Sequence, residues 1–143
     1  MQMLRLASRL GFVALLLLLP ACGGDDRPET YPAKGQLFIK GQAYAGVTLL
    51  FYPQGQTAGN VPLPRATTDA QGNFEVTTFE AGDGAPKGKY KVTAVYEIAP
   101  VTFGKKAKKP PKYDAKYQAA ERTPFEVTIE PKEGNVIPTL NVK

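Results

Sequence analysis

Apolar residues alternate with polar ones along most of this chain, and the alternation predicts β-strands rather than helices. Ala33 to Lys40 puts Leu37 and Ile39 on one face, and Val47 to Tyr52 puts Val47, Leu49 and Phe51 inward. Arg65 to Thr68 is a short strand, and Asn73 to Phe79 carries Phe74 and Val76 opposite Glu75 and Thr77. Lys89 to Tyr96 alternates over its whole length, with Tyr90, Val92, Ala94 and Tyr96 inward and Lys89, Lys91 and Thr93 outward. Phe125, Val127 and Ile129 mark a sixth strand. Val136 to Val142 closes the chain, and Pro138 suits an edge position because proline donates no ladder hydrogen bond.

The breaks are equally regular. Asp69-Ala70-Gln71-Gly72 has Asp first and Gly fourth, the chemistry of a tight turn, so the strands on either side form a hairpin. Residues 53–64, rich in Pro and Gly, and Glu80 to Gly88 read as loops, and Lys132-Glu133-Gly134-Asn135 as a turn. The longest irregular stretch is 97–123. In it, Tyr113 and Tyr117 are placed to pin the segment onto the domain, and Ala115 to Glu121 suits a helical turn. About seven short strands without a convincing helix predict an all-β, seven-stranded antiparallel sandwich of the prealbumin or immunoglobulin kind. The expected core is Leu37, Ile39, Val47, Leu49, Phe51, Phe74, Val76, Tyr90, Val92, Phe125, Val127, Ile129 and Leu140.

The N-terminus breaks this pattern. Met1 to Leu10 carries Arg5 and Arg9 and no acid, and Gly11 to Leu19 is wholly apolar. That is a secretory signal, predicted as a signal helix too short to span a bilayer. The only cysteine, Cys22, follows Leu19-Pro20-Ala21. A lone thiol in an oxidising compartment has no partner for a disulfide. Leu19-Pro20-Ala21-Cys22 resembles the bacterial lipobox, and that resemblance implies lipidation (diacylglycerol and palmitate) at Cys22 with cleavage before it. Residues 1–21 would then be the lipoprotein signal peptide, 22–30 the lipidated cysteine and a flexible linker, and 31–143 the domain. Gly23 stands where an Asp would resemble an inner-membrane retention signal, so the outer membrane or cell surface is the expected location, facing the periplasm or the exterior.

Composition then narrows the chemistry. The formal charge of +5 falls to +3 once residues 1–21 are removed, which is too mild for a dedicated nucleic-acid binder. There is no His and no Trp, and the one Ser is Ser8, in the signal. The commonest general base and metal ligand are therefore missing, and so is a serine nucleophile. No catalytic residues, metal site or cofactor are predicted. Asp69, Asn73 and Asp83 offer oxygens, but without EF-hand spacing, and Asp69 is better read as a turn residue. Glu80 to Tyr90 is glycine-rich with lysine, yet lacks the P-loop spacing and has Tyr90 where a Ser or Thr would ligate magnesium.

The basic charge is local. The segment 105–116 holds Lys105, Lys106, Lys108, Lys109, Lys112 and Lys116 against one Asp, and without it the processed chain would carry −2. These lysines are a candidate patch for an anionic envelope polymer, an envelope protein or the membrane surface. The plainer reading is a solvated loop that discourages strand-edge aggregation.

Three stretches carry a family resemblance. Ala45-Gly46-Val47-Thr48-Leu49 after Gly35 and Gly41, then Thr68-Asp69-Ala70-Gln71-Gly72-Asn73-Phe74, then Gly88-Lys89-Tyr90-Lys91-Val92, resemble carboxypeptidase-regulatory-like, transthyretin-like and Cna-B-type domains. Short lipoproteins on this sandwich are similar in the Lys116-Tyr117 and Gly134-Asn135 pairs. The resemblance implies a sandwich but no activity, since such domains serve as stalks and binding modules. The expected function is a non-catalytic binding or structural module of the envelope. The alternative is an accessory or chaperone-like subunit docking through a strand edge; a hydrolase is disfavoured.

Overall fold

A computed structural model describes residues 27–55, 60–97 and 110–143. The described chain is all-β. Its strands are β1 (Thr30–Tyr31), β2 (Ala33–Ile39), β3 (Val47–Pro53), β4 (Arg65–Thr67), β5 (Asn73–Glu75), β6 (Ala85–Pro86), β7 (Gly88–Tyr96), β8 (Glu126–Ile129), β9 (Asn135–Val136) and β10 (Leu140–Val142). The expected all-β sandwich is what forms, and each of the seven predicted strands is present. The additions are the short β1 and β6, and a break in the last strand at Pro138, which separates β9 from β10. Strand pairing starts at Thr30, one residue inside the expected linker.

Two sheets face each other. One runs β4-β3-β7-β8, all antiparallel, with β3 and β7 paired from Val47↔Tyr96 to Pro53↔Tyr90. The other has β2 at its centre, with β5 antiparallel on one side. On its other side β9 and β10 run parallel to β2, with Ala33↔Asn135 and Leu140↔Leu37 in register. The sandwich is thus antiparallel except along this ladder. A parallel neighbour cannot come from a hairpin, so the chain must cross from one sheet to the other before it ends. Pro138 lies on this outer edge, as its missing N–H requires.

The core is the inner face of both sheets. Leu37, Ile39, Val47, Leu49, Phe51, Phe74, Val76, Tyr90, Val92, Val127, Ile129 and Leu140 are all buried. Each such aliphatic or Phe side chain stabilises the fold by about 1.5–3 kcal/mol. Three expectations are corrected. The strands on either side of the Asp69–Gly72 turn do not form a hairpin: β4 pairs with β3 and β5 with β2, in opposite sheets, linked by the isolated Arg65↔Thr77 bridge, because each finds a longer partner strand there. Phe125 precedes β8 and is only partly buried, lying against the Tyr117 ring at 5.1 Å between centroids. Thr93 does face away from Val92, paired with Leu50, but it is 1% exposed instead of solvated. It is a small side chain on a central strand, walled in by Leu50, Lys91 and Val95, all half-buried. Ala33, Ala66, Ala85, Tyr117, Ile137 and Val142 join the core. Every strand and core residue described lies between Thr30 and Val142, so residues 27–143 enclose their own core.

Beyond Lys91, β7 loses β8 as a neighbour, and the returning chain takes its place. Val92 N–H donates to Phe125 O, and Thr123 Oγ1 donates to Val92 O. The Tyr113 hydroxyl donates to Ala94 O and accepts from Tyr96 N–H, both at 3.0 Å. Ala115–Gln118 forms a short 3-10 helix capped by Asp114, within the predicted helical turn. It sinks Tyr117 into the seam between the sheets, where the hydroxyl accepts from Lys143 N–H.

Candidate functional site

The sandwich has two unlike ends. At one, β1 brings the N-terminal chain in against β6, beside the start of β7. At the other lie Gly46, the Asp69–Gly72 turn, the end of β7 and the C-terminus, joined by Gly46 N–H to Thr68 O, Glu97 N–H to Gly46 O and Lys40 N–H to Val142 O. The nine residues of β7 separate these ends by about 27 Å at strand rise.

The predicted site residues divide accordingly. Cys22, Lys105, Lys106, Lys108 and Lys109 lie outside the described residues. In sequence those four lysines fall between Glu97 and Pro110, and Glu97 and Tyr113, whose hydroxyl bonds at Ala94 and Tyr96, lie at the far end from the N-terminal entry. Lys112 is exposed. Lys116 sits on the 3-10 helix, 3.9 Å from the Asp114 carboxylate and 5.1 Å from the Tyr117 ring centre. The structure therefore brings only Lys112 and Lys116 of the candidate patch into view, both on the return limb.

The acids once weighed as oxygen donors are already engaged. Asp69 Oδ1 accepts from the N–H groups of Gln71 and Asn73 at 2.9 and 2.8 Å, and Oδ2 from the Asn73 amide at 3.1 Å. The Asn73 side chain, first, holds the Asp69 carboxyl below its usual range, with the backbone donors helping it to outweigh the opposing desolvation. Its turn role follows directly, and Gly72 is fixed beside it. At φ +79, a Cβ there would sit 2.5 Å from Leu37 O. Asp83 gathers three backbone donors, Thr78 N–H at 2.7 Å, Phe79 N–H at 2.9 Å and Glu80 N–H at 3.1 Å. Among the described residues no group of three or more acids, His or Cys converges as a metal site. The hydroxyls of Thr68, Thr78 and Thr123 donate to the main-chain oxygens of Tyr44, Gly84 and Val92.

Two structural clamps were not legible as such. Asp83 closes the loop that delivers β6. Asn135 is buried, with Oδ1 accepting from Glu130 N–H and Nδ2 donating to the Glu130 and Lys132 carbonyls. An Asx residue before or within a glycine turn was the available signal, since such side chains bond nearby backbone.

A cleft of about 420 Å³ opens at the N-terminal end. Pro28, Pro53 and Pro86 form rigid walls, Tyr31 and Tyr90 contribute rings, and Lys87 and Lys89 stand on its rim. The Tyr90 hydroxyl donates to Pro86 O at 2.7 Å, and burial raises its pKa. The Tyr31 hydroxyl donates to Glu29 at 2.8 Å, and that bond raises its pKa. A smaller hollow alongside shares Pro53, Val61, Pro86 and Tyr90 and is completed by Pro62, Leu63 and Pro64. A third hollow, also about 420 Å³, lies beside Gly35 against β5 and the exposed Val136.

No protein-family model matches the chain, and no curated protein matches it.

Proposed function

We propose that the protein is an extracytoplasmic lipoprotein, anchored to its membrane through Cys22, whose β-sandwich is a non-catalytic binding module of the cell envelope. The observation that carries this reading is Leu19-Pro20-Ala21-Cys22 at the end of an apolar run, a few residues ahead of a domain that begins pairing at Thr30. From Cys22 to Thr30 the chain spans at most about 28 Å. A lipid on Cys22 would therefore keep the N-terminal end of the sandwich near the headgroups and leave the far end, where Glu97 precedes the lysine run in sequence, about 27 Å further out. That arrangement suits contact with an anionic polymer beyond the membrane better than contact with the anchoring membrane itself. The likeness to carboxypeptidase-regulatory-like domains in Thr68–Phe74 and Gly88–Val92 is in keeping with a binding module.

Labelling the full-length chain in cells with a palmitate analogue tests the anchor. Label and membrane association should both disappear in Cys22→Ser; a membrane-bound, unlabelled wild type refutes it. Co-sedimentation of residues 27–143 with envelope, across salt, tests the module. Pelleting should fade with salt and with Gln at Lys105, Lys106, Lys108 and Lys109. Salt-independent pelleting would favour the second reading, an accessory subunit that docks on a strand edge. Val136, 75% exposed on β9, favours that edge, but Pro138 interrupts it.

A further inference from the structure

The N-terminal end of the sandwich carries an amphipathic surface for which the anchor alone gives no reason. Leu63 is 41% exposed, one of only two exposed large apolar side chains among the described residues. It stands in Val61-Pro62-Leu63-Pro64, whose hollow shares residues with the proline-walled cleft beneath Lys87 and Lys89. Lys87, in the bend between β6 and β7, and Lys89, at the start of β7, are both exposed and both line this cleft. Neither makes a salt bridge among the described residues. Lys89 acts on Glu126 only at a distance, and Glu29 on the rim is engaged by Tyr31. The result is a projecting leucine between prolines that resist collapse, beside two unpaired ammonium groups. Leucine at the acyl boundary with lysines at headgroup level is the chemistry of interfacial binding.

We propose that this end of the domain docks on the anionic lipid surface of its own membrane, with Leu63 entering the interface and Lys87 and Lys89 meeting lipid phosphates. The short distance along the chain from Cys22 to the cleft selects the membrane as the partner. Pro28 lines the cleft, and Cys22 precedes it by six residues, about 20 Å at full extension. The inference rests on the Cys22 anchor for bringing the surface to the bilayer. Docking converts the tether into a fixed orientation, with the Asp69–Gly72 turn and Glu97 pointed away.

The test separates the two ideas by supplying a different anchor. Residues 27–143 with an N-terminal hexahistidine tag are held on vesicles by a nickel-chelating lipid, in a background with Gln at Lys105, Lys106, Lys108 and Lys109. A fluorophore on Pro62→Cys or, at the far end, Ala70→Cys is quenched by nitroxide-headgroup lipid. Phosphatidylglycerol in phosphatidylcholine vesicles should bring strong quenching at position 62 and little at 70. Lys87→Gln with Lys89→Gln should lower the docked-to-free ratio about thirtyfold, roughly fivefold per lysine. Leu63→Ser should weaken docking without altering its salt dependence. Equal quenching at both positions, or quenching at 62 that ignores both lysines, overturns the proposal whatever the fate of Cys22.

Discussion

Replacing Tyr113 by Phe should cost this domain far more than one surface hydroxyl. The hydroxyl stands in for a missing strand, accepting from Tyr96 N–H and donating to Ala94 O on the open side of β7. Tyr113→Phe keeps the ring against the core and strips both bonds at once. A fully buried orphaned group costs about 1–3 kcal/mol, and a net hydrogen bond about 1 kcal/mol. Tyr96 and Tyr113 are half-buried, so water recovers part of this, and the expected loss is about 1–2 kcal/mol. With a urea m-value of about 2 kcal/mol/M, the midpoint should fall by roughly 0.5–1 M at unchanged m. Tyr96 N–H should also exchange with solvent about tenfold faster, 1.4 kcal/mol being a factor of ten. Tyr117→Phe is the control, because its hydroxyl accepts a single 3.3 Å bond from Lys143 N–H near the C-terminus, and should cost under about 0.5 kcal/mol. Equal losses for the two variants, or an unchanged Tyr96 exchange rate, would refute the idea that Tyr113 completes the sheet edge.

Thr93→Val should stabilise the domain by about 1 kcal/mol in urea melts, because it replaces a buried hydroxyl that has no hydrogen-bond partner with a methyl of the same shape; a loss of stability would mean that the hydroxyl is bonded in solution. Gly84→Ala should cost at least about 2–4 kcal/mol, since φ is +87 and a Cβ would fall 1.8 Å from Tyr31 O, whereas Gly41→Ala, also at positive φ but in open space, should cost only about 1 kcal/mol. Asp69 and Glu126 have folded pKa values held below their usual ones, by the Asn73 amide and by Lys91 respectively, so their stabilisation is present above about pH 4.5 and is lost as pH falls through those lowered values. Asp69→Asn should therefore flatten the acid limb of a stability–pH curve while leaving a smaller slope from Glu126; an unchanged limb would sink that assignment.

Much of this architecture was written in short-range pattern. A period of two placed Leu37, Ile39, Leu49, Phe51, Phe74 and Val92 on inner faces, because a strand's side chains must alternate and one face of each sheet must leave water. The Asp69–Gly72 turn was equally local, its side-chain bonds reaching no further than Asn73. The Leu19–Cys22 motif and the lysine run are also properties of sequence alone, and the function proposed here leans on them for that reason.

Tertiary structure decided whatever depends on partners distant in the chain. No periodicity could announce that β10 runs parallel to β2 about a hundred residues earlier, since register across such a gap is set by the packing of whole sheets. Burial of Thr93 was hidden because alternation reports a side chain's face and says nothing of the bulk of its neighbours. Phe125 read as a core residue from its period and proved only half-buried, because β8 begins one residue later and Tyr117 claims the seam. The proline-walled cleft combines β1, the end of β3, Val61 and the start of β7, four stretches that come together only when the sandwich closes. Sequence determined what each stretch is, because backbone and side-chain preferences are local; the fold alone decided that the chain's entry, Leu63, Lys87 and Lys89 share one end while the Asp69–Gly72 turn, Glu97 and Tyr113 lie at the other.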